Sequence, residues 1–420
     1  MSPFIKTWIL LVLIIPTAAF SFDFPPERTK READKELGWM FAPLPGCVEG
    51  VGCAVPIAGL ISNFYKSTDL VILKTLAKGD IEATVVQLQK FPIIDEKLLL
   101  KVLYYDWDIS FLSYDRGIHS GKNDYYQTFE NLNTSTINLQ SQFYNQHLEI
   151  QIGYSSGGTK ISKIFDADGN QFSNIQSPLR TWVDHTIGTQ IDLTDNHLEP
   201  REGIRFELLH NASNYGLSEL SDYDVNSLNL TTYIPFLGSD TLLINVFQSR
   251  SYISEHGLTD ENALRNKFSL GCDFEMEADA CRNAETKRIN YWRKRNQSGK
   301  ATALGGLNRM RAYSLGRFYA GNSSNYALEY RLNFSEKQTP INWIIMGGIR
   351  TVLQAAFFYE IGSVSDDISL LHQNMKSSYG LGFRAIISGL IYRVDLAAGD
   401  DGIAPTLFIN YPLSLGTLGS

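Results

Sequence analysis

Three arginines and three glycines share one short run, LGGLNRMRAYSLGRF, from Leu304 to Phe318. A guanidinium holds five N–H donors in a rigid fork and stays charged at any working pH, so such a run asks for acidic groups to receive it. Glycines let a chain bend sharply where space is short. Nothing beside the run supplies a nucleophile or a base. The seven histidines are scattered, and Asp184-His185-Thr186 is the nearest approach to a triad. No serine motif of the nucleophile-elbow type accompanies it. No catalytic, cofactor-binding or metal-binding residue is assigned, and the chain is not expected to be an enzyme.

Cysteine is the other reactive side chain. Cys47 and Cys53 lie close together, as do Cys272 and Cys281, and no fifth is left over. In an oxidising compartment two local bridges are the simple reading, with two buried thiol pairs as the alternative. Zinc would want CxxC-type spacing with nearby histidine, which neither pair offers. An N-terminal signal agrees with export: Lys6 gives the positive start, Trp8 to Ile15 the apolar stretch and Ala19-Phe20-Ser21 a small-x-small cleavage site. The apolar stretch is short for a membrane anchor. Residues 1–21 are therefore read as a signal peptide.

The elements that must position these side chains follow a period of two. In STINLQSQFY, Ile137, Leu139 and Phe143 alternate with amides; in HLEIQIGY, Leu148, Ile150, Ile152 and Tyr154 alternate with Glu149, Gln151 and Gly153. GIRFELL and NYALEYRLNF repeat the pattern, the latter setting Leu328, Leu332 and Phe334 against Glu329, Arg331 and Asn333. Each segment reads as a strand with one apolar face and one face of charges and amides. Past the signal no window approaches twenty apolar residues, and the net charge of −8 argues against nucleic-acid binding.

A soluble sandwich also alternates. Apolar faces ending in Tyr or Phe, and polar faces mixing Gln, Asn, Glu and Arg, favour an all-β fold of another kind: a transmembrane antiparallel barrel with a wet lumen, closed so that no backbone edge is left in lipid. Breaks at SSGG, DADGN and EPREG separate strands, while Asp273 to Lys300 is too long for a hairpin turn. The barrel is expected over 55–413, with roughly sixteen strands. A short periplasmic segment, 22–54, precedes it, with a charged helix or a solvated tail in PPERTKREADKELGWM. The last strand is read as TLFINYPL, ending at Leu413, and 414–420 as a tail.

LGGLNRMRAYSLGRF followed by NYALEYRLNF resembles the sixth-loop motif and following strand of the BamA/TamA-type outer-membrane barrel family, also called the bacterial surface-antigen family. IDLTDNHLEPREGIRFEL, FFYEIGSV and YGLGFRAIISGLIYRVDLAAG are similar, in the same order, to three further strand motifs of that family. The resemblance implies that loop 6 folds into the lumen on the motif residues Leu304, Gly305, Gly306, Tyr313, Gly316, Arg317 and Phe318. It also implies that Arg311 pairs with the wall acid Glu360, with Asp395 a candidate for the same network. Ala312 stands where the family has Gly, and Glu360 where it has Asp. Members carry periplasmic polypeptide-transport-associated domains, and 22–54 is too short to form one, so a barrel-only member is expected.

The resemblance implies a bacterial outer-membrane location and a role in inserting or translocating protein or lipid, with a weak seam between the first and last strands. The alternative is a passive channel or structural barrel. Implied partners are outer-membrane lipid and an unfolded outer-membrane or secreted protein, with no cofactor. The basic run KRINYWRKRN, Lys287 to Asn296, could also meet lipopolysaccharide phosphates, or be a solvated loop neutralised by Asp273, Glu275, Glu277 and Asp279. Arg309 and Arg317 are read as lumen or loop-surface charges without specific contacts.

Overall fold

The computed structural model describes residues 37–409 apart from 76–80, 173–178, 198, 271, 273–277 and 388–389, together with Pro26, Leu413 and Leu415. The expected signal peptide and N-terminal helix, and most of the expected tail, lie outside the described residues.

Alternating side chains of opposite character make long strands. In chain order they are β1 (Gly38–Pro43), β2 (Gly46–Val48), β3 (Gly52–Ala54), β4 (Pro56–Tyr65), β5 (Thr68–Thr75), β6 (Glu82–Ile94) and β7 (Leu98–Tyr114). Next come β8 (Tyr125–Phe143), β9 (Leu148–Phe165), β10 (Gln171–Phe172), β11 (Arg180–Thr194), β12 (Gly203–Asn214), β13 (Asp222–Phe236) and β14 (Asp240–Glu255). After two helices, α1 (Glu261–Phe268) and α2 (Ala278–Ser298), follow β15 (Asn322–Trp343), β16 (Met346–Ser365), β17 (Lys376–Ile387), β18 (Leu390–Gly399) and β19 (Gly402–Ile409). Among the described residues all nineteen strands belong to one antiparallel sheet that closes on itself, β19 meeting β2.

The wall is inside out relative to a soluble protein. Ile137, Ile152, Leu328 and Phe334 are 46–61% exposed on the exterior, whereas Glu149, Asn229, Glu329 and Glu360 on the lumen side have no exposure. Soluble proteins bury the first kind and expose the second. The period-two pattern therefore sets which way each residue faces, and the two faces are a greasy exterior and a polar interior. No helix among the described residues is long and apolar enough to cross a membrane.

Three boundaries differ from the sequence reading. The first wall strand begins at Gly38, ahead of the expected start at Val55: β1 pairs with β4 from Gly38↔Ser62 to Pro43↔Ile57. The disulfide Cys47–Cys53 ties β2 to β3 at the tip of that same hairpin. SSGG, expected as a break, lies inside β9, paired with β8 on one side and β11 on the other. The side chain absent at Gly157 leaves room for the Trp182 ring, which is why glycine sits mid-strand there. At the far end β19 stops at Ile409, and Leu413 is buried rather than part of a strand.

The stretch expected as a plain loop is a helical cap. Asp260 caps α1, its side chain accepting from the Ala263 N–H. Leu264 and Phe268 of α1 pack with Ile289 and Trp292 of α2 and with Leu220. The Cys272–Cys281 disulfide pins the start of α2 among Tyr126, Ile161, Ile164 and Phe172 at the ends of β8 to β10. Glu285 joins the two helices, accepting from Ser269 Oγ at 2.6 Å, the Leu270 N–H at 2.7 Å and Arg265 Nη1 at 2.5 Å.

Burial works against a charge on Glu285, yet Ser269, the Leu270 N–H and Arg265 together hold its carboxyl below the ordinary range. A carboxyl depressed in the folded state contributes stability that is present above its unfolded pKa and is lost as pH falls through the folded value. Acidification to about pH 3 is therefore expected to loosen the α1–α2 pairing. Fluorescence of Trp292, stacked on Phe268 with ring centroids 5.1 Å apart, reports it. Glu285→Gln should flatten this acid transition; an unchanged transition in that variant would remove Glu285 as its cause.

Candidate functional site

Loop 6 runs from the end of α2 to β15, residues 299–321, and meets inward-facing side chains of the wall. Its two ends are zipped by an isolated bridge, Leu304 and Phe318 exchanging N–H···O bonds of 2.8 and 2.9 Å. Within it, Gly305, Gly306 and Gly316 all have left-handed φ, of 105°, 99° and 69°. Ala312, where the family has glycine, is not left-handed. That conformation falls instead on Met310, with φ 55°, and the Met310 carbonyl accepts from the Tyr313 N–H in a tight turn. The turn presents Arg311 to the wall.

Arg311 has no exposure and meets three carboxylates. Its Nε donates to Glu360 Oε1 at 3.1 Å, Nη2 to Glu329 Oε2 at 3.0 Å and Nη1 to Asp395 Oδ2 at 3.5 Å. Its backbone N–H donates to Glu360 Oε2 at 2.9 Å, so Glu360 grips both the side chain and the main chain. The Phe358 ring lies 3.4 Å from the guanidinium carbon, an additional cation–π contact. Glu360 and Phe358 both point inward from β16, two residues apart, as the strand period requires.

A second tier of arginines surrounds these acids. Arg384 Nη2 and Arg331 Nε donate to Glu329 at 2.8 Å each. Arg393 Nη1 donates to Asp395 at 2.6 Å, and its other terminal nitrogen holds the Leu307 carbonyl of the loop. The sequence reading named Arg311, Glu360 and Asp395, and the structure brings all three together. It overlooked Glu329, Arg331, Arg384 and Arg393. A signal was present: Glu329/Arg331 and Arg393/Asp395 are charged pairs at i, i+2 on alternating strands, which places each pair on one face.

The remaining motif residues extend the anchoring outward. Ala312 N–H donates to Ser378 Oγ at 3.0 Å and Tyr313 Oη to the Ser377 carbonyl at 2.9 Å. Arg317, expected as a charge without specific contacts, is buried with Nε on Asp401 at 2.7 Å, Nη1 and Nη2 on Ser120, and the Tyr114 ring 4.4 Å away. Arg309 is likewise buried: it stacks on Phe247 at 3.8 Å and donates to Asn229 Oδ1 at 3.1 Å. The tip of the N-terminal hairpin reaches the same loop, the Glu49 carbonyl accepting from the Leu315 N–H at 3.1 Å.

The other candidates are not drawn into this site. Asp184 and His185 are strand neighbours and face opposite sides, so they form no dyad; His185 packs edge-on against Tyr154. The basic run lies on α2 and has no single outward face: Arg288 and Arg295 are buried, Arg295 against Tyr215, Tyr223 and Trp292, while Lys294 faces out. Asp273, Glu275 and Glu277 lie outside the described residues.

No family model and no curated protein matches this sequence. Solved structures are similar to this chain, among them these two. The crystal structure of BamA from Haemophilus ducreyi lacking POTRA domains 1–3 aligns over 88% of this chain and 69% of that one, with 9% identity and a TM-score of 0.48. CdiB from Acinetobacter baumannii aligns over 89% of this chain and 60% of that one, with 11% identity and a TM-score of 0.49.

Removing Arg311 strands Glu360, whose two oxygens it occupies, and takes one donor each from Glu329 and Asp395. Arg311→Ala is expected to cost roughly 3–5 kcal/mol of barrel stability, because breaking one side of a buried ion pair leaves the other uncompensated. Urea unfolding in detergent micelles measures this, and a double-mutant cycle with Glu360→Gln should recover part of the loss. Additive losses would mean that the two residues act independently.

Proposed function

We propose that this chain is a bacterial outer-membrane barrel that passes polypeptide or lipid through a wall seam. The observation that carries the reading is how the sheet closes. β18 and β19 are registered from Gly399↔Gly402 to Tyr392↔Ile409, whereas among the described residues β19 meets the N-terminal hairpin through a single pair, Leu407↔Cys47. Lower down, β1 is bound not to β19 but to the start of β16, through Trp39↔Gly347 and Met40↔Met346. Tyr392 Oη reaches the Pro45 carbonyl at 2.8 Å.

The cause is in the residues. Pro43 and Pro45 lie along the first seam strand and Pro405 in the last, and proline has no N–H to donate. Among the described residues this junction is sparsely bonded, the geometry by which an added strand is templated. The apolar exterior supports lipid as the surrounding medium. An unfolded outer-membrane or secreted protein is the proposed cargo, and the outward Lys294 of α2 is left for lipopolysaccharide phosphate. In this reading Arg311, Glu360 and Asp395 lock loop 6 and do no bond chemistry. The loop filling the lumen weighs against a passive pore.

A seam lock tests the proposal. Cys53→Ser frees Cys47 to pair with a thiol introduced by Leu407→Cys, directly opposite in register. In liposomes, the reduced protein should speed the folding of a urea-unfolded eight-stranded barrel. The oxidised protein should lose at least about tenfold of that acceleration, the effect of about 1.4 kcal/mol on a barrier. Equal acceleration in both redox states would refute the seam as the route.

A further inference from the structure

The polar lumen has one apolar patch that the function above does not use. On β14 the run Thr241-Leu242-Leu243-Ile244 breaks alternation, so Leu243 faces inward beside Tyr233 of β13 and Ala327 of β15. Leu413, beyond the end of β19, fills this patch and is 3% exposed. Its backbone is held on both sides. The Leu413 N–H donates to the Asn308 carbonyl of loop 6 at 3.0 Å, and its carbonyl accepts from Asn229 Nδ2 at 2.9 Å and Arg309 Nη2 at 3.3 Å. Glu207 accepts from the backbone N–H of Leu415, which packs against the loop-6 cluster. Leu413 has φ 68°, a conformation leucine rarely adopts, and here these contacts hold it.

We propose that this cleft between loop 6 and β12–β15 is a polypeptide-binding site, for a turn of backbone carrying one aliphatic side chain, and that Leu413 is its resident occupant. The chemistry is that of peptide recognition: main-chain donors and acceptors met by Asn308, Asn229 and Arg309, with an apolar pocket for one side chain. Asn229 is the hub, since its Oδ1 also accepts from Arg309 and from Asn245 Nδ2 at 2.9 Å. The occupant is tethered to the seam. Leu413 is four positions beyond Ile409, a reach of at most about 14 Å. Any larger departure of β19 from the wall must pull Leu413 out and break its bonds to Asn308, Asn229 and Arg309. Seam opening and vacancy of the lumen site are thus one movement.

The test uses the full chain in liposomes with Leu413→Cys, its native cysteines held in disulfides. Maleimide labelling at position 413 should be slower than at Tyr144→Cys, an exposed turn position. Asn229→Ala or Arg309→Ala should speed it about tenfold, the effect of losing one buried hydrogen-bond partner. A free peptide NYPLSLGTLGS, the sequence from Asn410 to Ser420, should also speed it, and the same peptide with its first leucine replaced by serine should not. A second arm compares bilayer conductance of the full chain with that of a chain ending at Ile409, which should conduct more and be blocked by the peptide. Labelling at 413 as fast as at 144, or a rate the peptide leaves unchanged, overturns the proposal. Neither readout depends on insertion activity, so this site and the seam reading fail separately.

Discussion

The guanidinium of Arg311, sealed from solvent among Glu329, Glu360 and Asp395, is the contact on which the interior of this barrel depends. Three acids and the arginines 311, 331, 384 and 393 form one connected network spanning β15 to β18 and loop 6. Desolvating so many charges is costly, and each is tolerable only because its partners are present. Such a network joins the loop to four wall strands at once. Glu360 illustrates this, since its two oxygens separately hold the side chain and the backbone of the same arginine.

Two other parts of the chain meet that loop. The N-terminal hairpin leans its tip on Leu315, and the residue before the motif arginine, Met310, takes the left-handed turn. Arg309, next to it, faces the opposite wall and carries the segment that follows the last strand. Loop 6 therefore connects two sides of the lumen: a charged side at β15–β18 and a mixed amide and apolar side at β12–β14. Where β19 meets the N-terminal hairpin at Leu407↔Cys47, both sides lead to residues that touch the loop: Glu49 on Leu315 and Leu413 on Asn308.

Much of the wall was legible in the residues. Inward and outward faces follow from alternation and both disulfides from cysteine spacing, while the meeting of Arg311 with Glu360 and Asp395 was implied by the family resemblance. The helices α1 and α2 were not legible as such, because a polar stretch of mixed charge reads equally as loop until Leu264, Phe268, Ile289 and Trp292 find one another. SSGG reads locally as a break, and only pairing on both edges keeps it a strand.

By itself, then, the order of residues determined the side of the sheet each one faces, since a period of two is a local property of the backbone. It could not determine which inward charges share a site: Glu329, Arg384 and Arg393 come from different strands, and their meeting is set by the ladders between them. Nor could it place Leu413 in the lumen, for that requires Leu243, Tyr233 and Asn308, far away along the chain, to be gathered by ring closure. Facing is decided within a few residues; neighbourhood is decided only when the whole circumference has closed.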